Sequence, residues 1–274
     1  AADPLVGLIV AETTQPLVRR EALRSLGRVG GAKAFAVLER SLAAPVQEDK
    51  EAALRGLGEL KDPRAAHLLA ELAVMGFGKD LGSLAKFYLQ RQGALLAVPA
   101  LRHQVQQTKD PTVRAELVLL LGVYHDPQSV PDLLDLLRDP TRVTDAATSL
   151  SCTTGLDLLA AEDRVGVAET WWRQNKAAPQ WRWLLDALKA GGETTTLREE
   201  QFALGTDPAT IAELARLLVE AKTPRLAVMS GAVLRSLTGE DFGSINLGSS
   251  REAREAVAAR YRVLAETARA AKGR

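Results

Sequence analysis

The chain has 274 residues, with 35 basic and 34 acidic side chains, 46% hydrophobic residues, 4% aromatic residues and one cysteine, Cys152. The balanced charge leaves no basic stripe of the kind that holds nucleic acid. No apolar run approaches the ~18 residues needed to cross a bilayer, and a lone cysteine excludes an internal disulfide. Abundant Ala and Leu with few β-branched runs predict an all-α chain. The first residues are Ala1-Ala2-Asp3-Pro4. Small residues there fit removal of a signal peptide, which favours a periplasmic over a cytoplasmic location.

After an expected N-terminal cap helix, four segments superimpose at a nearly constant step. They are Leu26-Gly27, Leu57-Gly58, Leu89-Gln90 and Leu121-Gly122, spaced by 31, 32 and 32 residues. A period of this size with helical hydrophobicity inside it marks a stacked helical-repeat protein. The first helix of each unit ends at this pair, with apolar residues at i and i+3 or i+4 before it, as in Val113-Arg114-Ala115-Glu116-Leu117-Val118. Glycine there lets two helices approach closely or lets the helix end. The breaks Lys61-Asp62-Pro63, Lys109-Asp110-Pro111 and His125-Asp126-Pro127 place an Asp that accepts free amide protons before a Pro at the first helical position. In the second helices Phe35, Ala66, Val98 and Val130 align, as do Leu38, Leu69, Leu101 and Leu133 three residues on. This spacing predicts one buried face.

These residues resemble the short HEAT-like repeats also found in phycobilisome lyase subunits, whose unit reads roughly Val-Arg…Ala-Leu-Gly, Asp-Pro, then Ala-Val-Pro and Leu. Residues 16–139 match that pattern over four units; the third departs, with Gln90 for Gly and Gly93-Ala94 where Asp-Pro is expected. The resemblance implies an α-solenoid of HEAT-like helical hairpins, an α-α superhelix, that offers a protein-binding surface and no chemistry of its own. In such solenoids the second helices line the concave face. Arg40, Glu71, His103 and Asp135, one column over from the core, are then expected to form a polar partner-binding ridge.

After residue 139 the short period loosens, so residues 1–139 are expected as four regular repeats and 140–274 as divergent helical repeats. A longer echo appears in the second part. Ser149-Leu150-Ser151-Cys152-Thr153-Thr154-Gly155-Leu156-Asp157 parallels Leu234-Arg235-Ser236-Leu237-Thr238-Gly239-Glu240-Asp241. Further on, Trp171 parallels Tyr261, with six extra residues expected around Phe242 to Ser250 in the second copy. Each copy reads as a helix ending at Thr-Gly, an acidic loop and an aromatic-bearing helix. The second copy is similar to a Leu-Thr-Gly-x-Asp-Phe-Gly element of uncharacterised bacterial HEAT-repeat proteins. Between the copies, 177–190, 208–220 and 223–237 are predicted helices, Gly191-Gly192-Glu193 opens a loop, and a capping helix is expected over about 251–271.

All four tryptophans lie between 171 and 183. Core spacing places Trp171 and Trp181 inward, plugging the point where the regular repeat gives way, and leaves Trp172 and Trp183 as an exposed aromatic platform. His67, His103 and His125 fall in different repeats, and nothing in their spacing converges them on a metal. Cys152, in an apolar helix end, reads as a buried inert thiol. Three look-alikes lack their companion elements: the β-lactamase-like Ser83-Leu84-Ala85-Lys86, the phosphate-loop-like Gly76-Phe77-Gly78-Lys79-Asp80 and the kinase-like Asp241-Phe242-Gly243. The sequence therefore predicts a non-catalytic scaffold for protein partners, with no cofactor, no metal, no nucleic acid and no small-molecule ligand. The alternative is a lyase-like or maturation subunit handling a client and its chromophore, with Glu71 and His103 as its candidate groove residues.

Overall fold

The computed structural model describes residues 2–11, 13–74, 79–203, 207–243 and 245–272. Among them are sixteen α-helices, one 3-10 turn and no strand, and the fold is an all-α helical-repeat solenoid. The chain divides into two compact units, residues 1–117 and 118–274.

The first unit contains α1 (Ala2–Val10), α2 (Pro16–Val29), α3 (Ala32–Ser41), α4 (Gln47–Glu59), α5 (Pro63–Leu72), α6 (Lys79–Gln92) and α7 (Ala94–Gln107), and the boundary falls within α8 (Pro111–Val123). The first helices α2, α4 and α6 bury Leu26, Leu57 and Leu89 almost completely. The Asp-Pro turns work as predicted: an Asp62 carboxylate oxygen accepts the Arg64 N–H at 2.9 Å, and Asp110 accepts that of Thr112 at 2.8 Å.

The second helices are in the predicted phase, with one difference. Leu38, Leu69, Leu101 and Leu133 are fully buried; in the neighbouring column Ala66 and Val130 are buried as expected, but Phe35 and Val98 are only half-buried. In the first unit the continuous stripe runs four residues at a time, through Ala34, Leu38 and Leu42, through Ala65, Leu69 and Ala73, and through Ala97, Leu101 and Val105. Rows at i and i+4 are the ridges along which neighbouring helices mesh. A small alanine at the head of each row is therefore core, and the larger Phe35 is left beside it, under the Arg64 guanidinium at 4.7 Å.

Glycine sets one helix spacing directly. A Cβ on Gly27 of α2 would fall on the Gly56 carbonyl of α4, and one on Gly56 would come within 2.6 Å of the Leu23 carbonyl. The two backbones touch. Gly58, two residues on and so on another side of α4, meets the Tyr88 ring of α6 instead. In the irregular third repeat, Gly93 turns the chain at φ 86°. Gln92 there is 4% exposed, and its amide donates to the Leu57 and Leu60 carbonyls at 2.5 and 2.8 Å. That amide adds a second bond to carbonyls at the end of α4 that also accept the Leu60 and Asp62 N–H groups.

The second unit continues with a 3-10 turn at Pro127–Ser129, then α9 (Val130–Leu136), α10 (Val143–Thr154), α11 (Arg164–Asn175), α12 (Gln180–Ala190), α13 (Glu199–Ala203), α14 (Pro208–Glu220), α15 (Pro224–Thr238) and α16 (Arg251–Lys272). The helices predicted between the two echoed segments are present as α12, α14 and α15; the short α13 is not foreseen by periodicity. From Leu226 to Arg235 every residue of α15 is buried, so this helix is the axis of the unit, packed on α10, α12 and α14.

The two echoed segments share one helix end. Gly155 and Gly239 are left-handed at φ 81° and 68°. The Thr154 hydroxyl donates to the Leu150 carbonyl at 2.7 Å and accepts the Leu156 N–H at 3.3 Å. Thr238 does the same with Leu234 at 2.7 Å and Glu240 at 3.2 Å. The Thr-Gly pair is thus a helix stop in which the hydroxyl works in both directions. The loops that follow, 156–163 and 240–250, differ by three residues, so only half of the six extra residues sit in the loop. The rest lengthen the first turns of α16, because a helix absorbs added residues without leaving amides unpaired.

Candidate functional site

The aromatic cluster is built from α11 and α12. Trp183 is 3% exposed, and its indole N–H donates to the Asn175 carbonyl at 3.0 Å. Asn175 in turn donates to the Trp171 carbonyl at 2.9 Å. The Trp171 and Trp172 rings both approach Trp183, edge to face at 5.1 and 6.0 Å between centroids. Trp181 stacks on Phe202 at 4.9 Å. The expectation that Trp172 and Trp183 form the exposed pair is therefore corrected. Trp183 is the buried hub, because its N–H reaches a carbonyl only from inside the α11–α12 corner, while Trp171, Trp172 and Trp181 are half-buried.

Trp172 opens into a groove of about 440 Å³, lined by Pro131, Leu134, Asp135, Arg138, Glu169, Trp172 and Arg173. Two of the residues singled out in the sequence, Asp135 and Trp172, thus share one site. Pro131 and Leu134 of α9 supply its apolar part. Arg138 is held at one end by Asp135 at 2.9 Å and by Glu169. One turn beyond Glu169 on the same face of α11 lies Arg173, exposed, whose guanidinium donates to the neutral Thr170 hydroxyl at 3.1 Å. Arg138, Glu169 and Arg173 were missed. Their signal was helical spacing: Arg138 lies three residues after Asp135, Glu169 three before Trp172, and Arg173 four after Glu169.

The other residues expected on the ridge lie in the first unit. Arg40 on α3 and His103 on α7 are exposed, and Glu71 on α5 is half-buried. The His103 ring packs edge to face on His67 at 5.2 Å, which spacing had not converged. Repeat stacking brings α5 against α7 and so joins these two. Among the described residues no three His, Cys, Asp or Glu side chains are grouped to hold a metal.

A second polar cluster is buried in the second unit. His125 is 5% exposed and is the one non-glycine residue with positive φ (56°) among those described. Its carbonyl accepts the Gln180 amide at 3.0 Å, and the Tyr124 carbonyl accepts the Arg235 guanidinium at 2.9 Å. The Tyr124 hydroxyl is buried without a hydrogen bond, and the His125 ring is buried with the Ile245 backbone favouring its protonated form. Burial, and then the Arg235 charge, push His125 down to about 3. Burial raises Tyr124 and pushes Tyr261 up to about 12. The Tyr261 hydroxyl donates to the Glu240 carbonyl at 2.8 Å, and its ring meets Phe242 at 4.7 Å. The kinase-like tripeptide is thus a fastening of the 240–250 loop, with Asp241 accepting the Gly243 N–H at 3.0 Å.

The remaining motifs are structural. Lys86 of the Ser-x-x-Lys look-alike pairs with Glu116 at 3.4 Å. Gly76, Phe77 and Gly78 of the phosphate-loop look-alike lie outside the described residues. Cys152 is 2% exposed and burial pushes its thiol up to about 11, so it is an inert thiol at neutral pH.

No helix among the described residues is long and apolar enough to cross a membrane. No curated protein matches the chain. Residues 5–76, which run from α1 through α5, match the family model for HEAT repeats, so this segment of the chain carries HEAT repeats.

Proposed function

We propose that this protein is a non-catalytic scaffold that binds a protein partner through the faces of its second helices. HEAT repeats mediate protein–protein interaction, and the family is typically non-catalytic. The observation that carries the reading is the groove in the second unit, where the ridge residue Asp135 meets the half-buried Trp172 beside apolar Pro131 and Leu134. An aromatic ring held by its neighbours beside apolar surface and charged rims is the composition of a protein-binding hot spot. Arg40, Glu71 and His103 form the corresponding ridge on the first unit.

The test is affinity capture from native lysate with mass spectrometry, comparing wild type with the charge-reversed ridge Arg40→Glu, Glu71→Lys and Asp135→Lys. A protein captured by wild type and lost from the folded variant supports the scaffold. Co-purification of a small molecule or nucleic acid with no protein partner overturns it.

A further inference from the structure

We infer that the α9–α11 groove recognises a protein segment presenting an apolar side chain next to a carboxylate, the apolar group packing on Trp172 and the carboxylate pairing with Arg173. This rests on the scaffold reading and names the chemistry of the partner.

The electrostatics of the groove are uneven. Arg138 is bridged by both Asp135 and Glu169, so its charge is already met. Arg173 donates to a neutral hydroxyl, and no carboxylate pairs with it among the described residues. Glu169 and Arg173 are one helical turn apart, about 6 Å along α11. The groove therefore has one closed ionic end and one cation waiting for an anion. A guanidinium meets a carboxylate in a planar two-bond fork, which gives direction as well as attraction.

Trp172 sits between those ends, on the same face. Its ring is braced by Trp183 at 6.0 Å and by Trp171 at 6.4 Å, and Trp183 is itself pinned by its bond to Asn175. A braced ring loses little rotamer freedom when a ligand lands on it, so contact there converts efficiently into affinity. With Pro131 and Leu134 facing it, the middle of the groove takes one aliphatic or aromatic side chain. A cationic anchor is disfavoured, because Arg173 keeps an unmet positive charge in the groove. The spacing of anchor and acid on the partner is that of adjacent residues.

The experiment uses three fluorescein-labelled nonapeptides and the full chain. One carries leucine flanked by aspartates, one has the aspartates replaced by lysines, and one has the leucine replaced by serine. Anisotropy is read at low and at physiological salt. The leucine–aspartate peptide is expected to bind saturably, at least tenfold tighter than either control. Arg173→Glu is expected to lose that peptide by tenfold or more and to gain the lysine peptide. Trp172→Ala is expected to weaken both, with circular dichroism confirming that each variant is folded. Absence of saturable binding by the leucine–aspartate peptide overturns the inference, as does indifference to Arg173→Glu or equal binding of the serine peptide. Equal binding of a single-stranded oligonucleotide in an Arg173-dependent manner also overturns it, by making Arg173 a phosphate contact. If the peptides fail while the native-lysate partner is still captured, only the groove chemistry falls; if both fail, the scaffold reading falls with it.

Discussion

Mild acid should destabilise this protein because of His125. The ring is buried and the cationic Arg235 acts on it, and together these outweigh the Ile245 backbone, which favours the protonated ring. The folded state therefore holds it neutral, with its pKa moved from 6.5 down to about 3. The unfolded chain takes up a proton below pH 6.5 that the folded chain refuses. Stability is thus fully present above 6.5, falls as the pH drops, and stops falling near 3. One pKa unit is worth about 1.4 kcal/mol, so lowering the pH from 8 to 5 should cost about 2 kcal/mol from this residue alone. Carboxylates held low by their partners, such as Glu213 beside Arg216, titrate below this window. Urea unfolding followed by tryptophan emission is the assay, because all four tryptophans report on the second unit. His125→Asn is the control variant, since Asn tolerates the positive φ and carries no titrating group. Wild type should lose about 2 kcal/mol between pH 8 and 5, and the variant should be nearly flat. Equal slopes in the two proteins would refute the reasoning, whatever their absolute stabilities.

Leu69→Ala should cost ~2–5 kcal/mol, since the side chain is fully buried in the row through Ala65 and Ala73; chemical denaturation reads this, and an unchanged midpoint would mean that the row is misplaced. Gly27→Ala should destabilise by about 1–3 kcal/mol despite the better helix propensity of alanine, because the new methyl falls on the Gly56 backbone; a gain in melting temperature would show that α2 and α4 are further apart than described. The thiol of Cys152 should stay silent toward a disulfide reagent in the native protein at pH 8 and react at once in urea; rapid native labelling would place it at the surface.

The repeat was legible because period, turn chemistry and hydrophobic spacing agreed; Asp62 and Asp110 cap the helices they were expected to cap, while Asp126 caps a 3-10 turn that precedes α9. Columns were harder to assign. Ala34, Ala65 and Ala97 carry the core, yet alanine is as common on a helix surface as inside, and the eye follows Phe35 and Val98 instead. The tryptophans failed for a related reason: spacing along α12 does not tell which neighbour will accept an indole proton, and the Asn175 carbonyl decides in favour of burying Trp183. The groove was half visible. Asp135 and Trp172 stood out singly, but only folding brings α9 against α11 and reveals that Arg138 is spoken for and Arg173 is not. The His125 cluster was invisible, since a His before Asp-Pro looks like an ordinary turn residue until Arg235, 110 positions later, arrives beside it.

The contact of Gly27 with Gly56 has a mechanical consequence. Helical arrays flex where side chains can exchange rotamers, and each such step behaves as a soft spring. At the α2–α4 step main chain rests on main chain, so there is nothing to rearrange and the step is stiff in compression. At the next step Gly58 meets the Tyr88 ring, which can tilt. When the first unit is pushed or pulled, the displacement should therefore concentrate between α4 and α6, with α2 and α4 moving as one plate.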